Sequence, residues 1–176
     1  YRGAGLYKGD CFNSWRQVGH VAQAVQVHQV RSVDELIVLD IGATPEGRGP
    51  DFEFITNLTK DCFSPITVGG GVRSAEDVRR LLECGADKVA ICSAIYDRPE
   101  LIVDIARQFG SQCLVAAIDA VKDKVALHCG LSRLADSVIE WAKRAAQLGA
   151  GEILLTSIER DGMMIGYDLN LIRAVS

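Results

Sequence analysis

The run LVAAID, residues 114 to 119, is apolar until its last residue, and a carboxylate in that place has little structural reason to be there. Asp119 therefore reads as a general acid or base, against the plainer alternative of a carboxylate capping the next turn. Asp40 closes a similar run, LIVLD, but precedes a long polar loop, which favours a structural role. The triple glycine Gly69 to Gly71 stands just before a helix start. Unshielded backbone N–H groups there suit a phosphate oxygen, and a tight turn needing positive φ would use the same residues. Asp161 and Gly162, after a strand reaching Ser157, offer a second anion site. Glu35, Lys88 and Glu152 begin alternate strands, where they form either an inward charged layer or ordinary solvated strand ends. His20, His28 and His128 share no metal-ligand spacing.

Placing these residues requires regular elements. Leu36 to Ile41 is a continuous apolar run, as in a strand buried on both faces. Pro65 to Val68 is a second strand, Lys88 to Ser93 a third, Cys113 to Ala120 a fourth and Ile153 to Ile158 a fifth, with Val125 to Cys129 as a short extra strand. Between them lie amphipathic segments. Asp51 opens one; Ser74 and Asp77 form a capping box for the next, whose apolar face is Val78, Leu81 and Leu82 and whose end is Gly85. Pro99 starts the helix that ends at Gly110, and Val138 to Gly149 is a long one. Val21 to Val30 fits helix or strand and is read as helix.

Strands alternating with helices require right-handed crossovers in a parallel sheet. An open doubly wound sheet or a closed barrel would satisfy that alternation. Residues 34 to 55, DELIVLDIGATPEGRGPDFEFI, return in degenerate form at 151 to 172, GEILLTSIERDGMMIGYDLNLI, so that Asp51 meets Asp168. Two similar halves favour an eightfold (βα)8 barrel. Five of its eight strands are then present, in a single incomplete barrel domain over 1–176 with an internal repeat; the first strand and the last two are expected outside this span.

Composition sets further bounds. The chain has 176 residues, 48% hydrophobic content and a net charge of -4, which argues against a general nucleic-acid binder. No apolar run approaches the roughly 18 residues that span a bilayer, and no signal peptide is evident, so the expected location is the cytoplasm. Six cysteines without a CxxC pair read as buried reduced thiols rather than a disulfide or metal framework.

Taken together, DELIVLDI, ITVGGGV, GADKVAIC, FGSQ, AIDA, GAGEILLTSIERDG and GYD resemble the cyclase subunit of imidazole glycerol phosphate synthase, in register from about Gly5 to Ser176. The resemblance implies a (βα)8-barrel lyase without a cofactor, working with a glutaminase subunit. Ammonia from that partner would convert a bis-phosphorylated ribulosyl-formimino aminoimidazole carboxamide ribonucleotide to imidazole glycerol phosphate. By the same resemblance Asp119 is the catalytic acid/base. Lys8 belongs to a mobile loop over the substrate. Gly70, Gly71 and Ser93 hold one phosphate, and Ser157, Asp161 and Gly162 the near side of another. Glu35, Lys88 and Glu152 form an ammonia gate, and Asp87 and Gln112 lie at the glutaminase face.

The family's second catalytic carboxylate would fall just before Tyr1, so the 176 residues alone are expected to be inactive. Cys92 stands where the family has asparagine, and Met163-Met164 replaces a polar pair. With RQVGH and EGRGPDFEFI, these departures resemble a barrel paralogue that feeds ammonia to sugar amidination in surface-polysaccharide synthesis. Both branches carry the aspartate. A third possibility is an inactive half-barrel, self-associating through its open edges.

Overall fold

The computed structural model describes the backbone of residues 1–176 and all side chains except those of 133–135. Its main sheet is built from strands β3 (Leu36–Leu39), β4 (Ile66–Gly69), β5 (Lys88–Ile91), β6 (Leu114–Val121) and β9 (Glu152–Ser157), parallel and neighbouring in that order. These are the five expected core strands. Helices α2 (Phe52–Thr59), α3 (Ala75–Glu83), α4 (Ser93–Asp97), α5 (Glu100–Phe109) and α6 (Val138–Leu148) supply the crossovers, and α7 (Leu169–Val175) follows β9. With helix α1 (Val21–Val30) leading into β3, the chain forms an incomplete (βα)8 barrel.

Two antiparallel hairpins depart from the sequence expectations. Strands β1 (Gly5–Asp10) and β2 (Asn13–His20) form a separate ribbon where a loop was expected. The extra strand is β7 (Lys124–Leu127), shorter than the expected 125–129, because His128 and Cys129 turn with φ of 53° and 59°. It leads into β8 (Ser132–Ser137), which the sequence reading did not foresee. β7 pairs with β6 only through Asp119 to Val121, above the Leu114 to Ala116 stretch that pairs with β5, while β9 pairs with β6 along Val115 to Ala120. Ser93 likewise leaves its strand early to open α4.

Local chemistry explains the element limits. Ser74 Oγ accepts from Asp77 N at 3.1 Å while the Asp77 carboxylate accepts from Arg73 N at 2.9 Å, a reciprocal cap displaced by one residue from the capping-box pattern. Asp51 and Asp168 cap α2 and α7 alike, accepting from Phe54 N at 3.0 Å and Leu171 N at 3.1 Å. Val78, Leu81, Ile102, Ile105, Val138 and Ala145 pack fully buried against the outer side of the sheet. Beside β3, Tyr1 N donates to Leu39 O at 2.6 Å and Ile41 N donates to Tyr1 O at 2.8 Å, so the chain start continues the sheet edge.

Side chains alternate across a strand, and this fixes what faces the interior. On β6, Leu114, Ala116, Ile118 and Ala120 are buried under the helices, while Ala117 and Asp119 face a cavity. The same period runs Lys88, Ala90, Cys92 on one strand and Glu152, Leu154, Thr156 on another. On these last two strands the inward face carries a charge at its lower end and a cavity residue at its upper end.

Candidate active site

A cavity of about 940 Å³ occupies the upper end of the sheet. Leu39, Ala90, Ala117 and Leu154 form its floor, from strands at both margins of the parallel array, which shows that the sheet curls around it. Asp119 lines this space together with Gly70, Gly71, Ser93, Lys8, Asp161 and Gly162. The carboxylate therefore points to the mouth where the glycine loop lies. Ser157 lies outside this group and lines an adjoining cavity of about 300 Å³, which shares Thr156, Asp161 and Gly162 with the first.

Burial pushes the Asp119 carboxyl up to about 6, and the nearby Asp161 charge adds to the effect. The Thr156 hydroxyl and the Cys92 thiol act in the opposite direction, by favouring the carboxylate. Cys92 Sγ donates to Asp119 Oδ2 at 3.9 Å. Its own thiol is pushed up to about 12 by burial and by Asp119, so it is a neutral, weak donor at physiological pH. Cys129 is raised in the same direction by burial, then by Asp119 and Asp40. An acid poised near neutrality in a largely apolar cavity can both give and take a proton.

The glycine loop has a packing reason for its composition. Gly70 and Gly71 take φ of 107° and 73°, and a Cβ on Gly71 would stand 2.8 Å from Arg48 O. The turn reading therefore holds whether or not an anion binds there. The β1–β2 ribbon lies over the opposite side, with Cys11 N donating to Asp161 O at 2.9 Å and Gly9 packed so closely on Gly162 that a side chain at 162 would collide with it. Lys8, Phe12 and Trp15 enter the cavity wall from this ribbon.

At the lower end, Lys88 Nζ donates to Glu35 Oε2 at 3.0 Å and to Glu152 Oε1 at 2.7 Å. Thr67 Oγ1 donates to Glu35 Oε1 at 2.7 Å. The three charges are one cluster, not separate strand ends. Asp87 and Gln112 are exposed at this end, the former also accepting from Ile66 N at 2.8 Å.

Sequence reasoning missed Thr156, Cys129, the aromatic pair of the ribbon and Arg48. The two-residue period from Glu152 would have found Thr156. Nothing in the sequence pairs Arg48 with Asp40 across an irregular loop. The six cysteines are free, and among the described residues no group of three or more His, Cys, Asp or Glu could hold a metal ion. No helix among them is long and apolar enough to cross a membrane.

A curled parallel sheet with an ionisable carboxylate and glycine loops at its C-terminal strand ends, and a lysine reaching in from the ribbon, defines a (βα)8-barrel enzyme site. The sequence profile described as "Histidine biosynthesis protein" matches residues 2–176. The chain is also 44% identical to the proteins named imidazole glycerol phosphate synthase subunit HisF in two strains of Caulobacter vibrioides, over 97% of its own length and 68% of theirs. The chain belongs to the histidine biosynthesis protein family.

Proposed function

We propose that this chain is the cyclase subunit of an imidazole glycerol phosphate synthase. In this reading it combines ammonia with the bis-phosphorylated ribulosyl-formimino nucleotide and releases imidazole glycerol phosphate and an aminoimidazole carboxamide ribonucleotide. The observation that carries it is the placement of Asp119 in a cavity shared with the Gly70–Gly71 loop and with Asp161–Gly162. The similarity to HisF proteins supports the same reading.

Each part of the site then has a role. Gly70, Gly71 and Ser93 hold one phosphate, and Ser157, Asp161 and Gly162 the near side of the other, with Lys8 closing over the substrate from the ribbon. Asp119 moves protons at the reacting centre. Its raised pKa leaves acid and base forms both populated near neutral pH, which proton transfer in two directions requires. The Glu35–Lys88–Glu152 cluster gates ammonia from below, and Asp87 and Gln112 meet a glutaminase subunit on that face. No cofactor takes part, and the cytoplasm is the expected location.

The test is product formation from the nucleotide and an ammonium salt by the protein that carries this chain. Imidazole glycerol phosphate should form without any glutaminase. A folded protein that binds the nucleotide and yields no such product would overturn the proposal and direct attention to sugar amidination.

A further inference from the structure

Asp40 ends β3 on the wall of the large cavity, but its side chain is only 2% exposed. Its Oδ1 accepts from Gly42 N at 2.9 Å, Ala43 N at 3.2 Å and Arg48 Nη2 at 3.0 Å, while Oδ2 accepts from Arg48 Nη1 at 2.6 Å. A carboxylate held by four donors, two of them on one guanidinium, is tied into the 41–49 segment. Arg48 in turn is held by Glu46, whose Oε2 accepts from Nε at 2.7 Å. Arg48 itself does not line the cavity.

The pair sits directly beneath the glycine loop. A Cβ on Gly70 would stand 2.7 Å from Asp40 Cβ, and one on Gly71 would stand 2.8 Å from Arg48 O and 2.8 Å from Ala43 Cβ. Asp40 N also donates to Gly69 O at 2.8 Å. Any shift of the 41–49 segment is therefore transmitted to the two glycines by contact. A charge effect acts in the same direction: a buried carboxylate stripped of its guanidinium would present an unpaired negative charge beside the loop.

We propose that Arg48 is a positioning residue for the anion-binding loop, neutralising Asp40 and pinning the 41–49 segment under Gly70 and Gly71. A phosphate group's affinity then depends on a guanidinium that it never touches. The inference rests on the reading of Gly70 and Gly71 as a phosphate subsite.

The experiment is calorimetric titration of the protein that carries this chain with inorganic phosphate, each variant being checked first for a cooperative thermal transition. Arg48→Met should weaken phosphate binding about tenfold, the size expected when a paired charge is exposed near an anion. Arg48→Lys, which keeps the charge and loses the fork, should lose less, and it carries the test if the methionine variant does not fold. Asp40→Asn combined with Arg48→Met should regain affinity relative to Arg48→Met alone, because the unpaired charge is gone. A purely architectural contact would make the double variant the weakest of the set. Equal affinity in wild type and both Arg48 variants overturns the inference and leaves the phosphate reading standing, as does a double variant weaker than Arg48→Met. If the wild-type chain takes up no phosphate, the phosphate reading falls, and the inference with it.

Discussion

Asp119 and Asp40 show how far residue type alone can be read. Both close an apolar run of sequence, and both line the same cavity. Asp119 is desolvated with weak donors beside it, so its carboxyl rises to about 6; Asp40 is saturated by Arg48 and two backbone N–H groups. The polar loop after Asp40 already signalled a structural role, but the partner eight residues on was not legible, because an irregular loop has no period to reveal it. A stability prediction follows from the raised Asp119 value. The folded state binds this proton more tightly than the unfolded chain, so its contribution is fully present below the ordinary carboxylate value of 3.8 and is lost as pH rises through about 6. Asp119→Asn should therefore raise stability relative to wild type at pH 8 by up to about 3 kcal/mol more than it does at pH 3.5, measured by urea unfolding at both values.

Elements with strong local signals were legible, and those defined by tertiary pairing were not. The caps at Ser74 and Asp51 and the apolar runs located five strands and their helices to within a residue or two, since short-range chemistry sets those limits. The ambiguous 21–30 segment is a helix with Val21 and Val25 buried. The ribbon of β1 and β2 escaped notice, and of the other hairpin only β7 was read. β2 is largely exposed along its length and carries no apolar alternation, and β8 gains its strand conformation from pairing with β7. Asp168→Ala, which removes the side-chain N-cap of α7, should cost about 1 kcal/mol in chemical denaturation, as should Asp51→Ala on α2. A loss near zero at both sites would mean that packing, not capping, fixes those helix starts.

The whole molecule puts charge and chemistry at opposite ends of one inward face. Because side chains alternate, the strands that deliver Lys88 and Glu152 below also deliver Cys92 and Thr156 above. Barrel architecture was legible because strand and helix alternate and because residues 34–55 echo 151–172, with Asp51 and Asp168 at matched helix starts. Exposed apolar side chains stand on the two outermost strands' segments, at Ile37 on β3 and at Met164, Ile165, Tyr167 and Leu169 after β9. What alternation could not reveal is the ribbon crossing the mouth, which depends on Cys11 and Gly9 meeting the 161–162 turn. The account depends most on Asp119 acting in proton transfer at the nucleotide, and the direct measurement compares wild type with Asp119→Asn in the protein that carries this chain, using the nucleotide and a saturating ammonium salt. Turnover should fall by at least about a hundredfold, the contribution of a positioned acid/base, while nucleotide affinity stays within about threefold. Turnover retained near the wild-type rate, with the variant folded, would contradict the assignment.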